Sequence, residues 1–244
     1  MIKNSFLKKQ IENAQKEKKT PKFLRRLTFF VVDRVLKCHY SDTFPEKCFQ
    51  SSLAINMVLR RFEIRSEAFV GAVCVAQVFE EENRFPSWNG FWGEDHHIWS
   101  CTEFGEFVDL TIRYLHLHPD TKDKKQLPMP ALWWEDTIDW PRVIKYLHQD
   151  QRPVKPGFSD DEMRDLEIFK QLILTELDTV LDTCSVQEIE FHPILHGINS
   201  MNELHAKGDP WLCKSIMFQD LNLPYPTWIK EREAELMRNY AAET

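Results

Sequence analysis

The segment 48–61, CFQSSLAINMVLRR, constrains this chain more than any other stretch. Read as a helix, it carries Leu53, Ile55, Met57, Val58 and Leu59 on nearly every side. A helix that is apolar all round is buried. The segment after it, EAFVGAVCVAQVF at 67–79, is rich in Val and Phe and reads as a strand. HIWSCTEFGEFVDLTIRYL at 97–115 then reads as a β-hairpin turning near Gly105. Together these predict an α+β fold in which a buried helix packs on an antiparallel sheet, with helices added at both ends.

The flanking pattern completes that outline. Residues 4–18 and 21–37 read as helices, the second with Thr20 as N-cap, Pro21 at the first helical position, and Phe23, Leu24, Leu27, Phe30, Val31 and Leu36 at helical spacing. CHYSDTFPEK (38–47) reads as a loop, EEENRFPSWNGFWGED (80–95) as a polar and aromatic loop, and 116–130 as a connector. ALWWEDT is expected as a short strand and DWPRVIKYLHQ as a short helix with Pro141 in its first turn. RPVKPG (152–157) marks a boundary. Beyond it Ser159 caps an acidic first turn, and Leu166, Phe169, Ile173, Leu177 and Val180 follow at spacings of three and four. Helices are expected at 209–221, opened by Asp209-Pro210, and at 227–241, capped by Thr227. The expected organisation is N-terminal helices at 1–37, a core at 38–151, and a helical C-terminal region at 152–244 packed on that core.

Composition narrows the function classes. No apolar run reaches the ~18 residues of a membrane span, and the N-terminus lacks the apolar region of a secretory signal. A net charge of −7 argues against bulk nucleic-acid binding. The charge is uneven: residues 1–26 carry nine Lys/Arg and two Glu. Such an arm reads first as a solvated face or one docked on the protein's own acidic body, and second as a surface for an acidic partner. Six cysteines without a CxxC pair fit neither a disulfide scaffold nor a zinc ribbon, so free thiols in a reducing cytoplasm are expected.

One cysteine stands apart. Cys48 opens the buried helix, where unpaired N–H groups and the partial positive charge of the helix end favour a thiolate and can receive an oxyanion. A thiol nucleophile also needs a base with an orienting partner. The hairpin offers His96, His97 and Asp109. If its loop is Glu103-Phe104-Gly105, with Gly105 in the left-handed third position, Thr102 pairs with Glu106. His97 and Asp109 then become diagonal neighbours on one face, roughly 7 Å apart at Cβ. A two-residue Phe104-Gly105 loop would instead put Asp109 on the face of His96, too far along the strand to help. Gly105 favours His97, leaving His96 as a loop or supporting residue.

A Cys opening a helix, then a strand, then His97-Ile98-Trp99, then Gly105 through Asp109-Leu110-Thr111, resembles the transglutaminase-like superfamily, a permuted relative of the papain core. The likeness spans residues 38 to 115 and includes LAINMVLRRFEIRSEAFVGAV. It implies a Cys-His-Asp triad, with Cys48 as nucleophile, His97 as base and then acid, and Asp109 as its orienter. It also implies action on an amide or thioester of a protein, peptide or small-molecule substrate, by hydrolysis or acyl transfer. Lys47 stands where many members have Trp or Gly. Tyr40 and Gln50 are candidates to complete the oxyanion hole, and Trp92 and Trp99 candidates for a substrate wall. The alternative is a non-catalytic protein-binding module on the same fold. No cofactor is implied. Nor is a metal: His116 and His118 share a strand face without the further ligands zinc needs, and the 192/196 pair lacks the glutamate of HExxH.

Overall fold

The computed structural model describes residues 1–92, 96–121, 123, 125–135, 140–150 and 157–243. Helix α3 (Cys48–Arg61) is enclosed as its composition requires: Ser51, Ser52, Ala54, Ile55, Val58 and Leu59 are buried, and only Arg60 and Arg61 are exposed. It lies between a helical layer and a sheet. The layer holds α1 (Asn4–Glu17), α2 (Lys22–Tyr40) and α4 (Asp160–Thr183). Helix α4 begins with Ser159 accepting from the Glu162 N–H while Glu162 reaches back to the Ser159 N–H, a reciprocal cap. It buries Leu166, Phe169, Ile173, Leu177 and Val180, the five residues whose spacing marked its apolar face.

The sheet comprises β1 (Ser66–Gln77), β2 (Ser87–Phe91), β3 (His97–Thr102), β4 (Phe107–Asp109), β5 (Ala131–Trp134), β6 (Ile144–Asp150) and β7 (Ile194–Leu195). Its order is β2-β1-β3-β4-β5-β7, with β6 also paired to β1. All pairings are antiparallel except β5 with β7. Val73 faces both Phe91 and Tyr146, and Gly71 faces both His97 and His148. Strand β6 therefore runs along one edge of β1, while β2 and β3 follow one another along the opposite edge. On that second edge β2 ends at Phe91, opposite Val73, and β3 begins at His97, opposite Gly71.

The hairpin adopts the register that Gly105 favours. Thr102 N–H donates to Glu106 O, Gly105 N–H donates to Thr102 O, and Gly105 takes φ +77°. Ser100 pairs with Val108 and Cys101 with Phe107. Helix α3 covers the face that carries Ser100, whose hydroxyl donates to Ser52 O. The other face carries Val73, Val75, Trp99, Phe107, Leu132 and Trp134. It is covered in part by Trp211, Leu212 and Phe218 of α6 (Pro210–Asp220) and by Met201 and Leu204 of α5 (Ile198–Ala206). Helix α7 (Thr227–Glu243) places Ile229 against Ala72, Cys74 and Leu147.

Several expectations are corrected. Residues 144–150 form β6 and not a helix, because IKYLHQD satisfies its backbone against the free edge of β1. The hairpin's second strand stops at Asp109, and a 3-10 helix takes Thr111–Leu117. Within the expected loops lie β2 and a 3-10 helix over Ser41–Glu46. The C-terminal region is not wholly helical, since β7 joins the sheet beside β5 and makes it mixed, not purely antiparallel. Thr20 does not cap α2; its N–H and hydroxyl both donate to the Glu106 carboxylate, at 2.9 and 2.5 Å. Thr227 is the first residue of α7 rather than a cap before it. The boundary at 152–156 and residues 136–137 of the expected strand lie outside the described residues.

Glu106 belongs to a buried polar network that ties the helical layer to the sheet. Arg25, 0% exposed, donates through Nε to Thr20 O at 2.7 Å, through Nη2 to Glu106 Oε1 at 2.8 Å, and through Nη1 to Glu135. Lys19 also pairs with Glu135, and the His196 Nδ1 lies 3.1 Å from Arg25 Nη1. Part of the basic arm is thus docked on the chain's own carboxylates, whereas Lys3, Lys8, Lys9, Lys16 and Lys18 remain exposed.

Gly71 sits where β1, β3 and β6 crowd together. A Cβ there would overlap the Leu147 carbonyl and fall 2.8 Å from Trp99 Cη2. Gly71→Ala is expected to push β6 away and to lower stability by about 1–3 kcal/mol or more, the usual cost of overpacking. Urea denaturation measures this, and an unchanged midpoint would contradict the crowding.

Candidate active site

Three elements converge where the β3–β4 ladder ends. Because β4 stops at Asp109, His97 has no strand partner on that side, and the chain turns into the Thr111–Leu117 helix. His97 Nε2 donates to Asp109 Oδ2 at 2.6 Å, and each residue is 2% exposed. The Cys48 side chain adjoins the same ring, close enough to raise the ring's affinity for a proton. With Nε2 committed to Asp109, Nδ1 is the nitrogen left for the sulfur. Cys48 is half-buried, which makes it the member of the three that solvent reaches.

The Asp109 carboxylate is saturated with donors. Oδ2 also accepts from the Tyr146 hydroxyl at 2.7 Å, and Oδ1 accepts from Thr111 Oγ1 and the Ile112 N–H, each at 3.1 Å. Burial alone would raise the Asp109 pKa, but the His97 charge and these hydrogen bonds hold it below its ordinary value. Burial alone would lower His97. The Asp109 charge and hydrogen bond, with Cys48 adding to them, overcome that and push it up to about 10. An imidazolium at neutral pH is therefore the resting form. Phe91 stacks on the ring at 5.9 Å between centroids, with Trp99 at 6.4 Å on a similar tilt.

The N-terminus of α3 supplies the other half of the site. No side chain caps it: Lys47 occupies the cap position without a side-chain bond to the first-turn amides. Those N–H groups have no intrahelical partner. Lys47 instead lies over the Tyr40 ring, with its Nζ 5.1 Å from the centroid. The start of α4 closes in beside it, with Phe158 edge-on to Phe49 at 5.3 Å.

The other candidates separate on inspection. Trp99 packs beside the His97 ring. Trp92 packs on the other side of β1, against the cluster of Ala72, Cys74, Leu147 and Ile229. Tyr40 turns to Phe169, with ring centroids 5.3 Å apart, and towards Asp165. Gln50 is half-buried in the first turn of α3. His96 is exposed just before β3. Among the described residues no three side chains are grouped to hold a metal, and His116 Nδ1 donates to Arg113 O. Nor is any helix among them long and apolar enough to cross a membrane. All six cysteines are free.

Sequence reasoning missed Tyr146 and Phe91. The first lay in a segment read as a helix, the second in one read as a loop. Tyr146 borders an aromatic groove of about 350 Å³, lined also by Phe69, Trp99, Phe107 and Trp140 among others, whereas Phe91 stacks on the His97 ring. Comparison with protein-family models, with curated proteins and with solved structures finds no match to this chain.

Proposed function

We propose that this chain is a thiol-dependent hydrolase or acyltransferase acting on an amide or thioester bond, with a core of the papain-like, transglutaminase-like kind. One observation carries the reading: a buried His97–Asp109 pair whose ring adjoins a cysteine at an uncapped helix N-terminus. The Cys48 sulfur attacks the carbonyl carbon, and the first-turn N–H groups of α3 receive the developing oxyanion. His97 then gives its proton to the leaving amine or thiol as the carbon–heteroatom bond breaks. The acyl-enzyme is resolved by water or a second nucleophile, from which His97 takes a proton. Asp109 holds the ring and balances its charge throughout.

The six free thiols provide the test, because accessibility and activation order them differently. Cys38 is exposed and Cys48 only half-buried, so access alone puts Cys38 first. Burial pushes the Cys101 thiol up to about 12 and Cys74 well above its ordinary value, so both react slowly. Limiting iodoacetamide at pH 7, followed by peptide mass spectrometry, is expected to label Cys48 before Cys38, and His97→Ala to remove that lead. Labelling of Cys48 no faster than Cys38 would return the chain to the reading of a non-catalytic binding module.

A further inference from the structure

We infer that Tyr146 is a positioning residue of this site, which sets the orientation of Asp109 and, through it, the proton affinity of His97. The inference rests on the thiol reading above for its purpose, but its geometry stands by itself. Tyr146 donates to Asp109 Oδ2, the oxygen that also takes His97 Nε2. These two donors arrive from different strands. Tyr146 is on β6 and Asp109 on β4, with β1 and β3 between them. In a flat sheet three strand spacings come to about 14 Å, more than a tyrosine and an aspartate can bridge. The bond therefore requires the sheet to curl so that its outer strand leans over the site.

Local features match that demand. The β1–β6 register shifts between Val70 and Gly71, and the missing side chain of Gly71 lets the Leu147 carbonyl and Trp99 close on β1. The Tyr146 ring is then wedged against Phe107 at 4.4 Å, Trp99 at 5.1 Å and Trp140 at 5.7 Å. Its hydroxyl has little freedom to leave the carboxylate. Burial and the nearby Asp109 charge keep the phenol protonated, so it stays a donor across the working pH range. Thr111 and Ile112 fix one carboxylate oxygen. Tyr146 fixes the other, and the carboxylate cannot rotate away from the imidazole. By sharing Oδ2, Tyr146 also draws negative charge from the oxygen that His97 sees. A stronger phenol donor lowers the ring's proton affinity, and loss of the donor raises it. Among the described residues, the titratable groups facing His97 are Cys48 from α3, Asp109 from β4 and Tyr146 from β6, with His118 beyond Phe91, whose ring it meets at 4.7 Å.

Two variants of the full chain test this with opposite signs. Tyr146→Phe keeps the ring and removes the donor; 3-fluorotyrosine at position 146 keeps the ring and sharpens the donor. The readouts are the His97 side-chain titration by NMR and the iodoacetamide rate at Cys48. Tyr146→Phe is expected to move the His97 titration upward from about 10 and, because the freed carboxylate no longer holds the ring against Cys48, to slow labelling roughly ten-fold, the scale of one lost bond to a charged group. The fluorinated residue is expected to move the titration downward. In an Asp109→Asn background, Tyr146→Phe should add little, as expected for residues acting through one group. A His97 titration unmoved by either substitution would overturn the inference, as would equal effects with and without Asp109. Should Tyr146→Phe fail to fold, the fluorinated protein decides alone. Failure of the thiol reading looks different: Cys48 in the unaltered chain would label no faster than Cys38, whatever the NMR shows.

Discussion

Asp109→Asn is expected to reverse the charge state of His97 at neutral pH and to slow the proposed acyl chemistry by on the order of 10³–10⁴-fold. The carboxamide is the same size, so packing survives. What it removes is the charge that does most to overcome the burial of the ring; burial is then opposed only by Cys48, and the His97 pKa falls steeply. Turnover of a thioester or activated ester, with the histidine NMR titration alongside, measures both effects. Activity within three-fold of the unaltered chain would remove Asp109 from the mechanism.

The same pair gives the fold a pH window. His97 is raised from 6.5 to about 10, so its stabilising share is fully present below pH 6.5 and is lost as pH rises through 10. Asp109 is lowered, so its share is present above its ordinary 3.8 and is lost as acid protonates it. Between those limits both charges persist. In Asp109→Asn the alkaline loss should vanish, since a neutral ring has no proton to give up there. Thermal unfolding from pH 5 to 11 reads this directly.

Arg25→Ala is expected to cost about 3–5 kcal/mol, the range for removing one partner of a buried ion pair. Glu106, 2% exposed, would keep its contacts with Thr20 and Thr102 but lose its cation. Glu135 would retain only Lys19. The loss comes from stranding a carboxylate, not from the arginine's own worth. Arg25→Met combined with Glu106→Gln should therefore recover much of it. Urea midpoints of the three proteins decide, and a single variant as stable as its parent would contradict the stranding of Glu106.

Much of the site was legible because its geometry is local. Gly105 selects a three-residue turn, the turn sets the register, and the register puts His97 and Asp109 side by side. The helix of Cys48 was legible from its all-round apolarity, and α4 from five spaced residues and a serine cap. Tyr146 was not legible, since its place depends on which edge of β1 is left open, and no local pattern in IKYLHQD records that. Strand β7 has only two residues, too short for any periodicity. Thr20 looked like a helix cap because a cap needs only a hydroxyl before a turn. Its hydroxyl found a buried carboxylate 86 residues away instead.

The parallel pairing of β7 with β5 has a bearing on how the molecule assembles. Residues 131–134 can receive that neighbour only once 194–195 have been synthesised, and the Arg25 cluster reaches His196 at the same late point. Contacts this distant along the chain slow folding, because loop closure must precede any gain from them. A ribosome-bound chain ending before β7 would display the unpaired edge of β5, a strand of Ala, Leu and two Trp, and so be open to adventitious association until residues 194–195 have been made.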